Sequence, residues 1–123
     1  MHDDFLFYHP CEVIEVVDGD TVDLRVDVRF GISFKERFRL YGIDSPEKKG
    51  GTKIAGEDAK AHLAWLIETY GVKYVQTVKM RNKALRDKYG RYVAILHTNS
   101  ELADTETLND RMAIDGFAVR VKY

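Results

Sequence analysis

From Val22 to Arg29 the chain alternates without a fault. Val22, Leu24, Val26 and Val28 are apolar, and Asp23, Arg25, Asp27 and Arg29 between and after them are charged. Successive side chains of an extended strand point to opposite faces, so this run is a strand with one face in a core and the other in water. A helical period of 3.6 would scatter the same four apolar side chains around a cylinder. Residues 12–18 are short and β-branched and predict a preceding strand, with Asp18-Gly19-Asp20 as the turn between the two. Phe30-Gly31-Ile32 reverses the chain, and Phe34, Arg37, Phe38 and Leu40 lie on a returning strand that ends near Ile43.

Beyond that hairpin the pattern changes. Residues 44–56 hold one Pro, three Gly and three Lys and read as a loop. Over 57–70, Leu63, Leu66, Ile67 and Tyr70 recur at helical spacing, and Gly71 stands where the helix should stop. Residues 72–80 predict a strand, 81–90 a polar basic loop, and 91–97 a strand carrying Val93, Ile95 and Leu96. A short helix is expected over 106–115, with Leu108, Met112 and Ala113 inward and Gly116 after it; 117–123 is short and extended or irregular. Five strands with helices interposed predict an α+β, mainly β, fold: a five-stranded, partly closed Greek-key barrel of the OB type with two to three helices.

At 123 residues the chain is expected to be a single domain over 1–123, and a monomer. One cysteine, Cys11, excludes an internal disulfide framework. No apolar run approaches the ~18 residues of a membrane span, so no membrane partner is expected. The start, Met1-His2-Asp3-Asp4, lacks the basic-then-apolar pattern of a signal peptide. That leaves a cytoplasmic protein, or a secreted one whose leader has been removed.

The net charge of −1 conceals a sorting of charge. Residues 1–27 hold eight acids against Arg25 alone, and residues 79–91 hold six bases against Asp87 alone. Such sorting suits a cation near the first segment and a polyanion near the second, or two ordinary solvated faces. The near-zero total argues against coating nucleic acid through bulk charge.

Two acidic turns stand out, Asp18-Gly19-Asp20-Thr21 and Asp44-Ser45-Pro46-Glu47. Asp and Glu favour turns for local reasons, and each acid alone asks for no more than that. If the second and third strands pair as a hairpin, however, the start of one lies beside the end of the other and the two turns meet at one rim. Converging carboxylates with a turn carbonyl make a hard-oxygen site, suited to Ca²⁺ rather than zinc. Arg39 and Arg91 offer planar forks for phosphate oxygens, or else surface ion pairs such as Arg39 with Asp44 or Glu47.

Asp18-Gly19-Asp20-Thr21-Val22, then Phe38-Arg39-Leu40-Tyr41-Gly42-Ile43-Asp44-Ser45-Pro46-Glu47, then Asp87-Lys88-Tyr89-Gly90-Arg91 together resemble the staphylococcal nuclease (thermonuclease) family. The resemblance runs from about Cys11 to Val119 and takes in Gly56-Glu57, Leu108-Asn109 and Gly116. It implies a Ca²⁺-dependent endonuclease that hydrolyses DNA and RNA, preferably single-stranded, and leaves 3′-phosphates. It further implies Asp20, Asp44 and the Ser45 carbonyl as Ca²⁺ ligands, with Glu47 positioning or deprotonating the attacking water. Arg39 and Arg91 would then stabilise a phosphorane-like transition state. Leu40, Asp87, Lys88 and Tyr89 fall at substrate-contact positions, and Asp18 and Thr21 at supporting ones.

Three departures accompany the resemblance. The hairpin from Thr21 to Arg39 is longer, so residues 28–34 should project beyond the barrel. The loop 48–55 is shorter, and no role passes to Lys48, Lys49 or Lys53. The tail ends at Tyr123, with no sure counterpart for a family tyrosine near the base. The alternative is a non-catalytic OB-fold module that binds single-stranded nucleic acid or a protein ligand. Of the remaining residues, Cys11 is expected as a small core residue, His62 on the solvent side of the first helix, and Trp65 in core or edge packing; His2, His9 and His97 show no metal spacing.

Overall fold

A computed structural model describes residues 7–80, 83–98 and 107–122. Its larger strands are β1 (Tyr8–Asp18), β2 (Thr21–Asp27), β3 (Ser33–Leu40), β5 (Tyr74–Thr77) and β8 (Tyr92–His97). They close a barrel in the order β1-β2-β3-β8-β5, antiparallel throughout except for the parallel β3–β8 pair. Short strands β4 (Ile43–Asp44) and β9 (Val119–Arg120) pair with one another, as do β6 (Lys79–Met80) and β7 (Lys83–Ala84). Helix α1 (Lys53–Tyr70) packs against β1, and α2 (Leu108–Ile114) against α1 and β8.

The barrel is fully closed, where a partly closed one was expected. Closure comes from β1, which begins at Tyr8 rather than near residue 12. Its first residues pair with β5 (Tyr8 with Gln76) and its later ones with β2 (Cys11 with Val26). Register shifts between Val13 and Glu15 and between Val16 and Asp18 bend the strand enough to serve both neighbours.

The alternating face of β2 does what its period dictates: Val22, Leu24 and Val26 are buried with Phe38 and Leu40 of β3 and Leu63 and Leu66 of α1. Leu108 and Met112 complete the core from α2, whose Thr107 accepts a hydrogen bond from the Asp110 amide at 3.1 Å as its N-cap. The helix expected from residue 106 thus starts at Leu108, and Glu106 lies outside the described residues. Helix α1 starts at Lys53, four residues earlier than expected, because its first turn carries no core-facing side chain to count: Ile54 is exposed and the buried position is Gly56. The expected strand over 72–80 splits at Val78, and the basic loop after it contains β7.

At the far end of the β2–β3 hairpin, Arg29 and Phe30 take left-handed backbone angles (φ 78° and 58°), and Phe30 is 95% exposed. Residues 28–34 were expected to project beyond the barrel; Phe30 is exposed, but Val28 packs against the core and residues 31–33 share a cavity with Pro10, Cys11 and Glu12 of β1. His62 is not solvent-facing. It is mostly buried, Nε2 lies 2.7 Å from Asp115 Oδ2, and its ring stacks on Phe117 at 4.0 Å, joining α1 to the end of α2. Trp65 is 51% exposed and stacks on His62 at 5.5 Å, at the edge rather than in the core. Cys11 is half-buried, and burial pushes its thiol up to about 12, which keeps it protonated and unreactive. Among the described residues no helix is long and apolar enough to cross a membrane.

Candidate active-site cleft

The β2–β3 ladder sets Thr21 opposite Arg39, so the turn before β2 meets the segment after β3. The Leu40 amide donates to the Asp20 carbonyl at 2.8 Å and fixes that meeting. Asp20 is buried and fully engaged. Oδ1 accepts from the Thr21 hydroxyl at 2.9 Å, and Oδ2 accepts from the Ser45 amide at 2.9 Å. Arg39 spans the two acidic turns: Nη1 is 2.7 Å from Asp20 Oδ2, and Nη2 is 2.9 Å from Asp44 Oδ1 while also donating to the Ile43 carbonyl at 3.1 Å.

Two glycines press these turns onto α1. A Cβ at Gly19 would come 2.6 Å from Ala59 Cβ and 2.9 Å from Ser45 Cβ; one at Gly56 would come 2.5 Å from the Glu47 carbonyl oxygen. The Thr52 hydroxyl donates to that same carbonyl at 2.7 Å. The backbone of Glu47 is therefore clamped, while its carboxylate is 73% exposed with Lys49 Nζ 3.7 Å away. Lys48 ties the first turn down, donating to the Val17 carbonyl at 2.7 Å and lying 3.3 Å from Asp18 Oδ1.

The remaining wall comes from residues 86–91. Asp87 Oδ1 accepts from the amides of Tyr89 and Arg91 at 3.0 and 2.9 Å, and Oδ2 takes Arg91 Nε at 2.8 Å and Nη2 at 2.7 Å. Burial alone would raise the Asp87 carboxyl, but these hydrogen bonds from Arg91 and Tyr89 outweigh it and hold it below the usual carboxylate range. Tyr89 is exposed, with Lys88 Nζ 5.2 Å and the Arg91 guanidinium 5.3 Å from its ring.

These walls enclose an open cleft of about 650 Å³. Asp18, Asp20, Thr21, Arg39, Asp44, Ser45, Glu47, Asp87, Lys88, Tyr89 and Arg91 all line it. Leu40 does not. It is 0% exposed, since strand alternation turns it into the core opposite Arg39, and its side chain cannot contact a substrate. Asp87 lines the cleft but spends both oxygens on Arg91 and the turn, which makes it a positioning group. Arg86, Val121 and Lys122 also line the cleft. Arg86 had shown itself only as one base in a basic run, because nothing in its local sequence says which way it faces.

A family model described as a staphylococcal nuclease homologue matches residues 37–123. The chain belongs to that family. For this staphylococcal nuclease homologue the matched span takes in Arg39, Asp44, Glu47 and Arg91, and the turn at Asp18–Thr21 lies before it. The chain is 36% identical over 116 residues to protein ParB of Escherichia coli, a match covering 91% of this chain and 57% of the relative. It is 31% identical over 110 residues to an uncharacterized protein of Methanocaldococcus jannaschii, covering 72% of this chain and 48% of the relative. The chain thus spans about half the length of these curated relatives.

Proposed function

We propose that this staphylococcal nuclease homologue is a Ca²⁺-dependent endonuclease that hydrolyses phosphodiester bonds of DNA and RNA, preferably single-stranded, and leaves 3′-phosphates. The observation that carries this reading is one cleft holding two anchored guanidiniums, Arg39 on Asp20 and Asp44 and Arg91 on Asp87, together with the exposed carboxylate of Glu47. Two guanidiniums held in one cleft suit a phosphate whose negative charge grows as a fifth oxygen is added. Glu47 accepts the proton of the attacking water, the P–O5′ bond breaks, and the departing oxygen becomes a 5′-hydroxyl with a proton from solvent. Lys88 and Tyr89 meet the strand beside the reacting phosphate; Asp18 and Thr21 support the turn that carries Asp20.

Asp20, Asp44 and Ser45 are the residues that would hold Ca²⁺. Their donors are all oxygen, which suits a hard cation, and the Ser45 hydroxyl is buried without a hydrogen-bond partner among the described residues. No group of three or more His, Cys, Asp or Glu that could hold a metal gathers among the described residues, so water and phosphate oxygens would complete the shell. When bound, the ion supplies positive charge against the phosphate oxygens.

A non-catalytic binding module would use the cations of this cleft and have no need of Glu47. Cleavage of single-stranded DNA and RNA in millimolar Ca²⁺, then in excess chelator, with Glu47→Gln alongside, separates the two readings. Ca²⁺-dependent cutting that leaves 3′-phosphates and vanishes in the variant supports the nuclease. Oligonucleotide binding without cutting makes it the module.

A further inference from the structure

The three arginines that line the cleft are not equivalent. Arg39 rests on Asp20 and Asp44, and Arg91 on Asp87. Among the described residues no carboxylate rests on Arg86. Its Nη1 donates to the Gly90 carbonyl at 3.2 Å, its Nη2 to the Tyr92 hydroxyl at 2.5 Å, and its central carbon sits 4.1 Å from the centroid of the Tyr92 ring. A ring face and two neutral oxygens hold a guanidinium in place without cancelling its charge.

The support beneath Arg86 is itself fixed. Arg86 and Tyr92 form a backbone bridge, and Tyr92 stacks on the buried Phe38 at 5.9 Å. Leu85, immediately before Arg86, accepts from the Val93 amide at 3.1 Å and donates to the Val78 carbonyl at 2.7 Å. An exposed arginine already held this way loses little rotamer freedom when an anion arrives. Packing on Tyr92 accounts for its aliphatic stem and its plane, but not for a cation that no carboxylate among the described residues offsets, at the wall of this cleft.

We propose that Arg86 binds a second phosphate of a polynucleotide strand, adjacent to the phosphate held by Arg39 and Arg91. The inference rests on the nuclease reading and narrows it: the cleft is built for a strand with consecutive phosphates rather than for an isolated phosphodiester.

The test compares wild type, Arg86→Ala and Arg86→Lys on two substrates, a twelve-residue oligothymidylate and thymidine 5′-(4-nitrophenyl phosphate), which has a single phosphodiester. Arg86→Ala is expected to raise KM for the oligonucleotide about tenfold more than KM for the small diester. Arg86→Lys should recover part of that difference, since it keeps the charge and loses the fork. In chelator, where cleavage is not needed, anisotropy of a labelled oligothymidylate across a salt series supplies a second readout. Arg86→Ala should reduce the slope of log K against log salt by about 0.7, the contribution of one phosphate contact on a single strand.

Equal KM changes on both substrates would mean that Arg86 acts only by propping the turn that carries Arg91, and would overturn the proposal, as would wild-type KM and slope in Arg86→Ala. If wild type cuts neither substrate yet the slope still falls in Arg86→Ala, the phosphate site stands and the nuclease reading fails. If wild type neither cuts nor binds, both fail.

Discussion

The α-carbon of Gly56 lies so close to Glu47 that a β-carbon at position 56 would stand 2.5 Å from the Glu47 carbonyl oxygen and 2.6 Å from its carbonyl carbon. The first turn of α1 is thereby a mould for the turn that presents the Glu47 carboxylate. Gly56→Ala sets a helix-propensity gain of about 1 kcal/mol against this overlap with backbone. The overlap should win: a net loss of about 1–3 kcal/mol, with a fall in Tm of roughly 5–10 °C, is expected. Calorimetry checks it, and a Tm at or above wild type would show that the turn moves aside without cost.

Glu47→Gln should separate chemistry from stability. The carboxylate is 73% exposed and its ion pair to Lys49, at 3.7 Å, is long and solvated, so Tm should stay within about 1 °C of wild type. Turnover should fall ~10²-fold or more. A variant that cuts at the wild-type rate would remove Glu47 from the reaction.

Arg39 holds the buried Asp20 carboxylate at 2.7 Å, so removing it does two things at once. Arg39→Ala is expected to cost about 3 kcal/mol by leaving that charge uncompensated, read as a lower urea midpoint. Arg39→Lys should recover much of the stability while kcat/KM stays about 10²-fold down, because one ammonium cannot span Asp20, Asp44 and a phosphate. Parallel recovery of both quantities would make the guanidinium's shape irrelevant.

Asp87 fixes the sign of a pH effect. Its carboxyl is held below the ordinary 3.8, so its ionised form is favoured by folding. The stability it adds is complete above pH 3.8 and is lost as pH falls through the depressed folded value. The difference in unfolding free energy between wild type and Asp87→Asn should therefore be flat at higher pH and shrink on acidification below that point. A difference that grows in acid would reverse the assignment.

Much of this was legible in the sequence, and the reasons are local. The alternation of Val22, Leu24 and Val26 defined β2 and its buried face, and the two acidic turns are brought together by the Thr21–Arg39 pairing that a simple hairpin implies. What stayed hidden depends on long-range pairing. Closure of the barrel rests on Tyr8 meeting Gln76, and the start of α1 rests on a glycine whose role is to let Glu47 approach. His62 looks like any helical histidine until Asp115 and Phe117 arrive from the end of α2. Leu40 shows the opposite failure: a site position inferred from resemblance, turned inward by the ordinary alternation of its own strand.

The parallel β3–β8 pair, which sets Arg39 beside Val93, has a consequence for the protein while it is being made. Parallel neighbours cannot be joined by a short turn, and here α1 and β5 intervene. A growing chain displays Asp20, Arg39, Asp44 and Glu47 well before Arg86 and Arg91 have been added, and pairing across such a separation is slow to form. The half-made chain therefore presents its acids with no opposing wall to seat a phosphate. The cleft is complete only once residues 86–91 and 121–122 have been made, close to the end of the sequence.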